Sequence, residues 1–141
     1  MEPEGIELGK GHEFFVGAFS YSSAFFGYPA SALAGAIYKG NLRTGEGVIL
    51  VPPTGKPVSG LSYDPRTDYL YAATIFDDLD QGVTVYDASS GDAIAEIPFG
   101  AGIAINDCLV TRTGVYCTDS FNPDLYKVAL EKVGRLPSIP E

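Results

Sequence analysis

The feature that most constrains this chain is that it repeats itself. "EGIELGKGHEFFVGA" (4–18) lies over "SGLSYDPRTDYLYAA" (59–73) without a gap. Gly5 meets Gly60, Ile6 meets Leu61, Leu8 meets Tyr63, Phe14 meets Tyr69 and Val16 meets Tyr71. In both, apolar residues alternate, a polar turn intervenes and alternation resumes, which is the pattern of a β-hairpin. "NDCLVTRTGVYCT" (106–118) is a third copy if its turn is one residue shorter. Cys108 then stands where Ile6 and Leu61 stand, and Cys117 where Val16 and Tyr71 stand.

A second element follows each hairpin: "AIYKGNLRTGEG" (36–47), "GVTVYDASSGDA" (82–93) and "DLYKVAL" (124–130). In the first two, strand residues run into a Thr-Gly or Ser-Gly turn and then another short strand. Each unit is therefore expected to hold four short strands, at a spacing of about fifty residues or a little less, which suits a propeller blade. The fold expected is all-β: an incomplete β-propeller of about three four-stranded antiparallel blades, the last truncated. The blades fall at about 4–55, 56–101 and 102–130, with residues 131–141 as a C-terminal tail. Because propellers close with about four to eight blades, three look like part of a ring. Open blade edges make self-association an expected partner interaction.

Composition narrows the function classes. The net charge of −9 argues against nucleic acid, whose phosphates need Lys and Arg, and against an anionic membrane surface. Phe14 to Tyr38 carries no charge, but Pro29 and several Ser and Gly interrupt it, so no membrane span is expected. The start Met1-Glu2-Pro3-Glu4 shows no secretory signal. Localisation stays open, since two cysteines do not fix a compartment.

The copies resemble the six-bladed propellers of the SMP-30/gluconolactonase/LRE-like family. The residues that carry this are "PEGIEL", "GAIYKGNLRTGEG", "GLSYDPRTDYLYAA" and, most specifically, "INDCLVTRTGVYCTDS" (105–120). The resemblance implies divalent-metal-dependent hydrolysis of lactones or related esters, with Ca²⁺ or a similar cation on the ring axis. It makes Glu4 the first-blade metal ligand and Asn106 a substrate-binding residue, followed by Asp107 as in the family pattern. The ligands of later blades have no counterpart here, so the isolated chain is expected to be inactive. The alternative reading is a non-enzymatic propeller-repeat protein that binds a partner.

Each candidate residue has a plainer role open to it. Glu4 is equally an exposed acid near a terminus. Asn106 is equally a turn residue that satisfies backbone groups, and Asp107 suits such a role better than a ligand's. A carboxylate and an amide oxygen are hard donors that suit Ca²⁺ or Mg²⁺. The longer loop of the first unit, "FSYSSAFFGYPASALAG" (19–35), is expected to emerge on the same side as Glu4 and Asn106. There Phe25, Phe26 and Tyr28, with Phe19 and Tyr21, either roof a substrate pocket or pack on a neighbouring blade. His12, Asp64 and Asp68 belong to turns on the opposite side and are expected not to reach the site. A turn centred on Arg112-Thr113 puts Cys108 opposite Cys117. Both occupy core positions, which favours packed thiols, while the register also admits a disulfide.

Overall fold

The computed structural model describes residues 2–19, 34–54, 56–76, 80–131 and 136. These form eleven strands: β1 (Glu2–Leu8), β2 (Glu13–Phe19), β3 (Gly35–Asn41), β4 (Gly47–Thr54), β5 (Val58–Asp64), β6 (Tyr69–Ile75), β7 (Gln81–Asp87), β8 (Ala93–Gly100), β9 (Ile105–Val110), β10 (Gly114–Asp119) and β11 (Leu125–Ala129). No helix long and apolar enough to cross a membrane occurs among the described residues. The strands make three antiparallel sheets, each in chain order: β1–β4 (sheet I), β5–β8 (sheet II) and β9–β11 (sheet III). Sheet III holds three strands among the described residues.

Local chemistry explains the repeated turns. In the β3–β4 turn the Asn41 side chain accepts the N–H groups of Arg43 and Thr44, and Gly45 takes a left-handed φ of 74°. The β7–β8 turn repeats this: Asp87 accepts from Ser89 and Ser90, and Gly91 has φ 80°. An Asx side chain four residues before a glycine thus folds both "NLRTG" and "DASSG" the same way.

The hairpin register corrects the ungapped alignment. Leu8 faces Phe14 across β1–β2, whereas Tyr63 faces Leu70 across β5–β6. The second hairpin's turn is one residue longer and takes Asp68 through a left-handed φ of 59°. Beyond the turn, Val16 therefore corresponds to Ala72, not Tyr71, and Phe15 corresponds to Tyr71. A one-residue slip exchanges the two faces of a strand, so this decides which side chains meet. In the third copy Cys108 faces Cys117 and Leu109 faces Tyr116, as the expected turn requires. Cys117 matches Val16 and Ala72.

Successive sheets stack face to face. Phe15, Ile37 and Val51 of sheet I share one buried cluster with Leu61, Tyr63, Leu70 and Ala72 of sheet II. Tyr71, Ala73, Val83 and Val85, on the other face of sheet II, share a second cluster with Cys108, Val115, Cys117 and Val128 of sheet III. Close backbone approach concentrates on the early strands: β5 lies against β1 and β2, and β9 lies against β5 and β6. The sheets therefore fan outward from β1, β5 and β9.

Two positions make this stacking possible. A Cβ on Gly5 would lie 2.6 Å from the Ser59 carbonyl oxygen, and one on Gly60 would lie 2.5 Å from the Cα of Asp107. Each glycine thus admits the first strand of the next sheet. A hydrogen bond repeats beside each: Glu7 Oε1 accepts Tyr63 N–H at 3.1 Å, and Ser62 Oγ accepts Val110 N–H at 3.0 Å. By register, Glu7 and Ser62 are equivalent, as are Tyr63 and Val110.

Cys108 and Cys117 are joined in a disulfide. This corrects the expectation of packed thiols. The two residues are direct partners in a narrow antiparallel pair with Cα atoms 4.1 Å apart, which brings their side chains together. Their positions are still core positions: both are buried against sheet II.

Candidate functional site

β1, β5 and β9 all begin at one end of the fan, where β2, β6 and β10 finish. Glu4, Ser59 and Asn106 are equivalent by register and stand at that end. All three line one cavity of about 470 Å³. Its apolar wall includes Phe19, Ile75, Ile103 and Phe121, and Gln81 and Ser120 add polar groups. The structure thus brings Glu4 and Asn106 together, with Phe19 beside them. Phe25, Phe26, Tyr28 and Tyr21 lie outside the described residues.

Each polar side chain here has a local cause for its position. Asn106 Nδ2 donates to Ser120 Oγ at 2.9 Å, which leaves the amide oxygen as its acceptor end. Ser59 Oγ donates to the Ile105 carbonyl at 3.0 Å, and Gln81 Oε1 accepts Ile105 N–H at 2.7 Å. Both backbone groups of Ile105 are therefore held by sheet II, which fixes the residue before Asn106. Asp119 orders the adjoining loops, accepting N–H groups from Ala104 and Phe121 and the Asn122 side chain. Burial alone would raise its carboxyl, but those donors outweigh it and hold it below the usual range.

A second cavity of about 670 Å³ follows the inner strands and takes in Glu4, Glu7, Gly60, Asn106 and Asp107. Burial raises Glu7 above the ordinary carboxylate range, the Tyr63 N–H pulls it down, and the charge of Asp107 raises it further. Asp107 Oδ1 also accepts Cys108 N–H at 2.9 Å, the backbone role expected of it.

The opposite end holds charged turn residues. Asp64, buried, takes two bonds from the Arg66 guanidinium at 2.7 Å, and Arg66 Nη2 also donates to the Thr111 carbonyl. Asp68 accepts from Tyr63 and Ser89, and His12 sits in the exposed β1–β2 turn. Asp64, Asp68 and His12 stand apart from Glu4 and Asn106, as their turns imply.

Among the described residues no three His, Cys, Asp or Glu side chains converge as a metal-binding group. Glu4 and Asn106 offer one carboxylate and one amide oxygen at the same cavity. That donor set fits a hard divalent cation in kind and leaves most of a six- to eight-oxygen shell to water. Ser59, Gln81 and Ser120 were not flagged by the sequence. Ser59 stood in the aligned column with Glu4, and that column was the signal for it. No family model matches the chain, and no curated protein matches it either.

Proposed function

We propose that this chain is three blades of a β-propeller of the SMP-30/gluconolactonase/LRE-like kind, and that the cavity at Glu4 and Asn106 binds a small lactone or related ester. One observation carries the reading. Glu4, Ser59 and Asn106 hold the same position in three successive sheets and line a single cavity. The fan of meander sheets about their first strands supports the propeller half of it.

In this reading Asn106 Nδ2, which donates one N–H to Ser120, donates its other N–H to the substrate carbonyl. Phe19, Ile75 and Phe121 exclude water from the apolar part of the ligand. Glu4 and the Asn106 amide oxygen would hold the cation, Ca²⁺ by donor hardness. The cation's chemistry is polarisation of the carbonyl for attack by water. Two protein donors bind a cation weakly, so the isolated chain binds and orients a ligand without turnover.

Thermal unfolding with Ca²⁺ and with a small γ- or δ-lactone tests this. The wild type should gain stability with each. Asn106→Ala should lose the lactone effect, and Glu4→Gln should lose the Ca²⁺ effect. A wild type indifferent to both overturns the reading. A second reading, a non-enzymatic repeat protein that presents a surface to a partner, is favoured by the exposed apolar side chains Ile6, Leu8, Leu109 and Leu125.

A further inference from the structure

The seam between sheets II and III is built differently at its cavity end from the seam between sheets I and II. Phe19 pairs with Gly35 and Ile75 with Gln81, so Gly35 and Gln81 are equivalent by register. A Cβ on Gly35 would overlap the Lys56 carbonyl oxygen. The first seam thus closes with no side chain at this position, and the stacking itself asks for none. Gln81 instead reaches across the second seam, its Oε1 accepting Ile105 N–H at 2.7 Å.

A bulge in β9 sets what stands beside it. Ile105 pairs with Asp119 and Cys108 with Cys117, so Asn106 and Asp107 together face Thr118. Ile105 and Cys108, three residues apart, both pack against sheet II, which the alternation of a regular strand would forbid. Asn106 is released from the seam by that extra residue and follows directly on the residue Gln81 holds. An N–H is met by an oxygen, so the bond to Ile105 fixes the Gln81 amide: Oε1 is committed, and Nε2 is the end it offers to the cavity it lines. Ser120 Oγ accepts from Asn106 Nδ2, which leaves its hydroxyl hydrogen to donate. Among the described residues neither Gln81 Nε2 nor that hydroxyl hydrogen meets an acceptor. This side of the cavity therefore presents donors, set against the apolar side chains of Ile75 and Ile103.

We propose that Gln81 is a specificity-determining residue of this cavity, and that the lactone it takes carries a second neutral carbonyl, on a substituent of the ring, which accepts from Gln81 Nε2. The proposal rests on the lactone reading of the site. Asn106 Nδ2 serves the ring carbonyl, and Gln81 serves the second. The second acceptor is a carbonyl and not a carboxylate, because the donors here are neutral and the described wall holds no Lys, Arg or His. An anion set against Ile75 and Ile103 would lose more hydration than amide and hydroxyl donors return. Equally, a ring substituent without an acceptor would cover Nε2 and leave it unpaired.

Titration calorimetry with two lactones of similar shape tests this, with Ca²⁺ present throughout. The wild type should bind α-acetyl-γ-butyrolactone about fivefold more tightly than α-isopropyl-γ-butyrolactone, the worth of one net hydrogen bond. Gln81→Glu keeps an oxygen for Ile105 N–H and has no N–H to give. Its unfolding midpoint should stay near that of the wild type, while the preference for the acetyl lactone vanishes or reverses. Gln81→Met, of similar length, should lose the preference and lower the midpoint, because it also drops the bond to Ile105. Equal binding of the two lactones by the wild type overturns the proposal, and that comparison needs no variant. A Gln81→Glu protein that keeps the preference also overturns it, since the bond to Ile105 alone would then account for Gln81. If the wild type binds neither lactone, the site reading falls and this inference falls with it; if it binds both alike, this inference falls and the site reading stands.

Discussion

Sheets II and III begin with the same hairpin and solve different problems with it. Sheet II has four strands and is covered on both faces, so β6 and β7 bury nearly every residue and lose the alternation of a half-exposed strand. Sheet III has three described strands and one uncovered face. Where sheet II places Leu61 opposite Ala72, sheet III places Cys108 opposite Cys117 and joins them. The comparison teaches that burial and a covalent link serve at the same position, with the link used where burial is one-sided.

The largest expected effect strikes that link. Reducing the disulfide, which closes a separation of nine residues, should cost about 2–3 kcal/mol in urea unfolding. Amide exchange should quicken in β9–β11 and stay slow in β6 and β7. Uniform loosening of both sheets would break the comparison. Before reduction, the denatured protein should show no free thiol.

A smaller loss is expected at the tie between the two sheets. Arg66→Ala leaves Asp64 buried at 1% exposure without its cation and frees the Thr111 carbonyl. The cost should be about 2 kcal/mol, below that of a fully buried pair because Arg66 is itself exposed. Ligand binding at the far end should be unchanged. A loss of binding equal to that of Asn106→Ala would show that the two ends are not separate.

The smallest effect sharpens the account of the seam between sheets I and II. Glu7 is raised in the folded state, so folding favours its protonated form. Its charge therefore costs stability above the folded pKa, and the cost disappears as pH falls towards the unfolded value of 4.5. Glu7→Gln keeps an acceptor for Tyr63 N–H and should raise the midpoint at pH 7 by roughly a degree or two. The gain should vanish near pH 4. A variant less stable than wild type at pH 7 would mean that the carboxylate's hydrogen bond outweighs its burial.

Much of the fold was legible because its causes are local. Alternation marked the strands, and Asn41 with Gly45 and Asp87 with Gly91 marked the turns. The pairing of Cys108 with Cys117 followed from one hairpin turn. The ungapped match misled beyond Asp68 because an αL aspartate leaves no trace in the residue pattern. The disulfide was admitted by the register and not chosen, since core positions suit either oxidation state. At the site, Glu4 and Asn106 came from a resemblance. Ser59 and Gln81 did not emerge, because what they hold is the backbone of Ile105, 46 and 24 residues away. Backbone partners at that distance have no side-chain signature.

The hydrogen bonds across the seams carry a consequence for how the chain reaches this structure. Among the described residues every ladder pairs strands that are neighbours in sequence, so each sheet forms from contacts of short range. The seam bonds join residues 56 and 48 positions apart. Local pairing forms fast and distant docking slowly, so the sheets are built before they are assembled. During that interval sheet II, with apolar side chains on both faces, is the most adhesive species the chain passes through. The yield of refolding should therefore fall as protein concentration rises, and the sheet that is safest in the finished protein is the one most at risk on the way there.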